Sequence, residues 1–269
     1  MTLTSCFAQT DAVLTKSVTT YLHTLPASVT VSLAVQSLTD SSVAMSVNAE
    51  KPVPSASVIK LPIMVEVMEQ VKAGTLDLSE IHILTDSEKA GGDGVLKNYS
   101  HRSRISYADL LRLMLVYSDN TATNIFINEL GMAAINARIR AMGLTGTRLN
   151  RVMMDTVAAR QGRDNYVTAA DMNRLLSQLY QHRLATPALC EQMLDILKQN
   201  EDTLTIPRLL PKSVVVAHKT GTLAYVRADA GIVYARQPFL LTVLIQGAPT
   251  PDAERIIAEL ALICYDALR

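Results

Sequence analysis

The chain has 269 residues, 49% of them apolar and 19% charged, which suits one or two globular domains with a full core and excludes a disordered or fibrous chain. Lysine plus arginine equals aspartate plus glutamate at 25 each, so the formal charge is zero and the basic excess that nucleic acid or an anionic membrane would require is missing. No apolar run approaches the roughly 18–20 residues that span a bilayer, so a soluble protein with no membrane span is expected.

From the N-terminus, Leu3-Thr4-Ser5-Cys6 is similar to a lipoprotein lipobox, and Cys6-Phe7-Ala8 to the end of a signal peptide. Neither has a hydrophobic region ahead of it, and coincidence or a trimmed signal reads equally well. Residues 11–24 put Val13, Leu14, Val18, Tyr21 and Leu22 near one face, the spacing of an amphipathic helix. Val29–Leu38 alternates apolar and small polar residues and Ser42–Val47 does so more weakly, with the turn signal Thr39-Asp40-Ser41 between them, so a hairpin is predicted. Helical spacing then covers Ile59–Val71, Tyr107–Tyr117, Thr121–Met142, Thr168–His182 and Pro187–Lys198. After Pro211, strand-length runs return at Ser213–Ala217, Asp229–Ala235 and Phe239–Gln246, and Asp252–Leu268 is helical again. Because a lone hairpin is marginal, the strands of the two ends must meet in one sheet. The prediction is an α+β fold with an antiparallel five-stranded sheet flanked by terminal helices. The α/β part takes residues 10–52 and 208–269, an all-helical part takes 53–207, and the active site lies between them.

Cys6, Cys190 and Cys264 are too few and too scattered for a disulfide framework or a zinc site, so no metal and no cofactor is expected. Cys190 and Cys264 read as small buried apolar residues.

Three short motifs carry the chemistry: Ser57-Val58-Ile59-Lys60, Ser118-Asp119-Asn120 and Lys219-Thr220-Gly221. Alone each is weak; Lys60 would pass for a solvated helix lysine and Asp119 for a helix cap. Together, in this order and separated by 61 and 101 residues, they are specific. A serine hydroxyl needs a neighbouring base to become a nucleophile, and residues i and i+3 of a helix share a face, so Ser57 and Lys60 can meet if a helix begins near Ser57. Pro62 fits a start close by, although it leaves the Val58 carbonyl without its helical donor. Burial and the charge of Lys219 would lower the lysine's pKa toward a base role, and a backbone N–H at the helix start would face a developing oxyanion.

On these residues the chain resembles the penicillin-recognising serine enzymes, and the class A β-lactamases in particular, over nearly its whole length. Pro54–Pro62, Gly94-Val95-Leu96, Tyr117–Asn124 and His218–Thr222 match family signatures. The resemblance implies Ser57 as the acylated nucleophile, Lys60 as its general base and Ser118 as the relay to the leaving nitrogen. Asn120 would hold a substrate amide. Lys219 and Thr220 would bind a substrate carboxylate, with Gly221 beside them and the N–H groups of Ser57 and Thr222 forming the oxyanion hole. Arg227 is similar to an arginine that some members use on that carboxylate, though an exposed strand arginine explains it as well. His218 reads as a packing and hydrogen-bonding residue. A small-molecule acyl donor, a monomer and a periplasmic or secreted location follow from the same resemblance.

One stretch departs from the family. Class A enzymes release the acyl group with water activated by a glutamate on a loop reading arginine, one residue, then Glu-Pro-Glu-Leu-Asn. Here the loop is Thr147-Arg148-Leu149-Asn150-Arg151-Val152-Met153-Met154-Asp155-Thr156-Val157. Forward from Arg151, the glutamate position is Met153 and the asparagine position Val157. Backward from Gly162-Arg163-Asp164, Asp155 comes near the asparagine position. It is the only carboxylate between Arg151 and Asp164, hence the one candidate replacement base, but a cap pinning a shortened loop is the favoured reading. An Arg151–Asp164 pair is expected to keep the loop ordered. The resulting expectation is a class A-like hydrolase acylated at Ser57 by β-lactams and released slowly. The alternatives are a D-Ala-D-Ala peptidase or small esterase, and a non-catalytic β-lactam-binding sensor.

Overall fold

The computed structural model describes residues 3–40 and 42–268, with side chains described from residue 12 onward, so the Cys6 reading rests on a side chain outside the described ones. Helix α1 (Leu3–Leu22) leads into β1 (Thr30–Ser37) and β2 (Ala44–Val47), the predicted hairpin, with Gln36 opposite Ala44. A two-residue strand β3 (Val53–Pro54) precedes a 3₁₀ turn at Ala56–Ile59 and helix α2 (Lys60–Ala73). Strands β4 (Ile81–Ile83) and β5 (Arg104–Ser106) pair with each other, and α3 (Tyr107–Val116) follows.

The predicted single helix Thr121–Met142 is two helices, α4 (Asn120–Leu130) and α5 (Met132–Ala141). Gly131 separates them at φ 78°, ψ 138°, a backbone no helix can hold. Next come a one-turn α6 (Thr156–Arg160), β6 (Tyr166–Val167), which pairs with β3, and helices α7 (Ala169–Tyr180) and α8 (Pro187–Leu197). Two small ribbons, β3–β6 and β4–β5, therefore interrupt a region expected to be helical throughout. Strands β7 (Val215–Leu223), β8 (Val226–Tyr234) and β9 (Phe239–Gln246) and helix α9 (Thr250–Leu268) complete the chain.

The main sheet has the order β2-β1-β9-β8-β7 with every pair antiparallel, so the two ends of the chain meet at β1–β9. Both of its faces are covered, and the period-two alternation sorts side chains between two cores. Leu33, Val35, Leu241, Val243 and Ile245 join Leu14 and Val18 of α1 and Ile257, Leu260 and Cys264 of α9. Ala34, Ala228, Ala230, Leu240 and Leu244 face the larger core of α2, α3, α4 and α7. Cys190 and Cys264 are both buried free thiols, as the sequence suggests. No helix among the described residues is long and apolar enough to cross a membrane.

Strands β7 and β8 run further than their apolar runs predict, to Leu223 and from Val226. The added residues include the polar His218, Lys219, Thr220 and Arg227, yet all four are buried. This polar edge strand lies against the Ala56–Ile59 turn, which sets up the site described next.

Candidate active site

Ser57 sits inside the 3₁₀ turn and Lys60 opens α2, three residues on. In a 3₁₀ turn side chains at i and i+3 eclipse, so the pair is aligned more directly than by the α-helical start expected from sequence. The Lys60 Nζ lies 3.0 Å from Ser57 Oγ. Ala56, the preceding residue, holds a left-handed φ of 46° and Ser118 one of 54°, strain that a packed surround must maintain. Gly221 is the residue that lets β7 close on the turn: a Cβ there would stand 2.9 Å from both the Ser57 nitrogen and the Ala56 Cβ.

The second motif arrives at the same point from the α3–α4 junction. Asp119 caps α4, its Oδ1 accepting from Ala122 N–H at 2.9 Å while Oδ2 accepts from the N–H groups of Val95 and Leu96. The bland reading of Asp119 as a helix cap thus holds, and the cap also fixes Ser118 and Asn120 on either side of it. Lys60 Nζ reaches the Ser118 carbonyl at 2.6 Å, Ser118 Oγ at 3.1 Å and Asn120 Oδ1 at 3.0 Å. The Asn120 amide donates to the Gly91 carbonyl.

Four oxygens around one fully buried amine decide its chemistry. The Ser118 carbonyl and Asn120 Oδ1 can only accept, so they take two N–H groups of a neutral amine. The lone pair is then left for a hydroxyl proton. Burial and the nearby Lys219 charge hold the Lys60 pKa well below that of a free lysine, which favours that neutral form.

Lys219, also fully buried, donates to Ser118 Oγ at 3.1 Å and to the Thr220 carbonyl at 2.9 Å. Ser118 Oγ therefore bridges two lysine nitrogens. Burial lowers the Lys219 pKa to about 8, against the opposing pull of Asp229, Asp202 and Asp93. The ammonium is present below that value and lost above it. Acylation by a carboxylate-bearing β-lactam is accordingly expected to fall as pH rises through about 8, and a pH–rate profile of adduct formation checks this.

Arg227 is not an exposed strand arginine but is 3% exposed. Its NH2 lies 2.7 Å from Asp202 Oδ2 and 3.1 Å from Glu254 Oε1, its Nε donates to Glu254 at 3.2 Å, and its NH1 donates to Thr222 Oγ1 at 2.9 Å. His218 is buried with its Nδ1 2.9 Å from Asp229 Oδ2, a packing and hydrogen-bonding place as the sequence suggests. Ser57, Ser118, Asp93, Asp202, Lys219 and Thr220 line a cleft of about 260 Å³. A larger one of about 720 Å³ lies between β1, β2 and α7, at the opposite sheet edge, and holds none of these groups.

The loop that departs in sequence is well tied. Arg151 pairs with Asp164 through Nε at 2.9 Å and NH2 at 2.7 Å, the predicted pair. Met153 is bonded on both sides of its backbone to Asn124: its N–H donates to Asn124 Oδ1 at 2.7 Å and its carbonyl accepts from Nδ2 at 3.1 Å. Asp155 is the N-cap of α6, accepting from Ala158 N–H at 2.9 Å.

The profile of the β-lactamase enzyme family matches residues 14–268. The chain belongs to the β-lactamase enzyme family. Its relatives include the extended-spectrum β-lactamase PER-1 of Pseudomonas aeruginosa, 28% identical over 241 residues, covering 81% of this chain and 76% of that protein. The β-lactamase structure from Sphaerobacter thermophilus DSM 20745 superposes with a TM-score of 0.85 at 26% identity, covering 96% of each chain. That of PBP-A does so at 0.84 and 25%, covering 98% of this chain and 96% of the other. A PBP-A mutant has been solved as an acyl-enzyme complex with penicillin G.

The fold thus brings together all of Ser57, Lys60, Ser118, Asn120, Lys219, Thr220, Gly221 and Thr222, while Asp155 is engaged as a cap. Sequence reasoning missed Asp202 and Glu254. Both reach Arg227 across loops or layers and neither stands in a recognisable motif. For Asp155, Asp155→Ala is expected to cost about 1 kcal/mol of stability as a lost N-cap and to leave acyl-enzyme lifetime unchanged. Urea unfolding and intact-mass decay of the adduct measure the two effects separately.

Proposed function

We propose that the protein is a serine acyl-transfer enzyme of the class A β-lactamase type, acylated at Ser57 by β-lactams and released slowly. The observation that carries this reading is the buried Lys60 amine, 3.0 Å from Ser57 Oγ and 3.1 Å from Ser118 Oγ, held by two acceptors that leave its lone pair for a proton. Lys60 takes the Ser57 proton as Oγ bonds to the acyl carbon. The N–H groups of Ser57 and Thr222 receive the oxyanion. As the carbon–nitrogen bond breaks, Ser118 passes a proton to the leaving nitrogen and is resupplied from Lys60. Hydrolysis of the acyl-enzyme needs a base beside a water. Read forward from Arg151, the family's glutamate position falls on Met153, and the Asp155 carboxylate is engaged as the cap of α6.

The likeness to PBP-A supports a second reading, a D-Ala-D-Ala peptidase or small esterase in which Lys60 serves both half-reactions. The small-molecule acyl donor, the monomeric state and the periplasmic or secreted location belong to the same proposal. Incubation with a chromogenic cephalosporin and a labelled penicillin, followed by absorbance and intact mass together, tests it. A long-lived adduct on Ser57 is expected. Rapid hydrolysis without accumulated adduct would overturn slow release, and no adduct would overturn the acyl-transfer reading.

A further inference from the structure

Arg227 carries five N–H donors, and four of its contacts are already made: two to Glu254, one to Thr222 and one to Asp202. Two carboxylates therefore face one guanidinium. They are not equivalent. Glu254 comes from α9 and is not among the residues lining the cleft, whereas Asp202 lines it together with Ser57, Lys219 and Thr220. Asp202 is also carried there by a built loop rather than by chance: Asn200 donates to the His218 carbonyl of β7 at 3.2 Å, and its Oδ1 accepts from the Asp202 N–H at 2.9 Å. Asp202 Oδ1 in turn accepts from the Leu204 N–H at 3.2 Å. Burial works to raise the Asp202 carboxyl, but Arg227 and the Thr220 hydroxyl outweigh it and keep it ionised.

Arg227, Thr220 and Lys219 are the groups that the family resemblance assigns to a substrate carboxylate. A carboxylate of the chain itself already stands on two of them. We propose that Asp202 occupies the carboxylate subsite and biases Ser57 toward acyl donors that are neutral at that end, esters or amides rather than free acids. A free acid must displace Asp202 from Arg227 or approach it as a like charge; a neutral donor does neither. With a β-lactam of either kind, Ser57 Oγ bonds to the β-lactam carbonyl carbon as the ring carbon–nitrogen bond breaks, and the Ser57 proton passes through Lys60 and Ser118 to the ring nitrogen; the ester replaces only the carboxylate and is not itself cleaved. This inference rests on the acyl-transfer reading above.

The test compares benzylpenicillin with its methyl ester, which share the reacting ring and differ at the carboxylate. Second-order acylation of Ser57 is followed by quenched-flow intact mass for the wild type, Asp202→Asn and Glu254→Gln. Asparagine keeps the acceptor for the Leu204 N–H, and Asp202→Ser replaces it should the asparagine variant fail to melt cooperatively. Asp202→Asn is expected to raise acylation by benzylpenicillin about tenfold and to change the methyl ester less than twofold, with a smaller gain for Glu254→Gln. An unchanged rate with the free acid overturns the proposal, as does an equal gain for both probes. Equal gains in the two variants would assign the effect to charge at a distance and overturn occupancy. If neither probe labels Ser57 in any cooperatively folded variant, the acyl-transfer reading itself has failed, and this inference with it.

Discussion

Lys60→Met is expected to slow acylation of Ser57 by about 10³-fold, the scale on which a positioned general base acts. Methionine fills a similar volume but removes the lone pair that faces Ser57 Oγ. It also deprives the Ser118 carbonyl and Asn120 Oδ1 of their donor. The second effect could slow the reaction through lost positioning alone, so the informative comparison is Lys60→Arg. Arginine restores N–H donors and positive charge but cannot be deprotonated in this pH range. If Lys60 acts as a base, both variants are slow. If it serves only as a cationic anchor, the arginine variant retains most of the rate. Time-resolved labelling with a fluorescent penicillin reads the difference, and raising the pH should rescue neither variant.

The residues whose chemistry demands a fixed type at a fixed spacing were legible in the sequence. Ser57 and Lys60 sit three apart because one turn must bring them together, and the Ser118 and Lys219 motifs supply groups that no other residue types replace. Strand β1 was legible from its alternation of apolar and small polar residues, and β9 from a nearly continuous apolar run, the pattern that burial on both sheet faces allows. The ends of β7 and β8 were hidden because His218, Lys219, Thr220 and Arg227 are polar residues in buried strand positions, tolerated because the site partners them. Apolar spacing continues across Gly131, so periodicity alone joins α4 to α5, and only the backbone at that glycine separates them. Asp202 had no signal at all. Its meaning comes from a loop that carries it 25 residues across the fold to Arg227.

Met153→Glu is expected to shorten the acyl-enzyme lifetime by about 100-fold or more. The position is favourable for a reason visible in the backbone. The reciprocal bonds between Met153 and Asn124 hold residue 153 against α4, the helix whose N-terminus presents Asn120 to Lys60. The Arg151–Asp164 pair anchors the same loop from its other side. A substituted side chain therefore inherits a fixed origin, which general-base geometry requires. Met153 is 9% exposed, so a carboxyl there is desolvated and its pKa rises, making it a better base while costing some stability. Met153→Gln has the same length and no basic oxygen of that kind, so it should leave the lifetime near that of the wild type. The decay of the Ser57–penicillin adduct, followed by intact mass after excess penicillin is removed, separates the two variants. Equal lifetimes for the glutamate and glutamine variants would mean that a carboxylate at position 153 does not set the rate of release. The block would then lie in access of water to the ester, and Met154, 46% exposed beside Gly92 and Asn120, would be the next side chain to shorten.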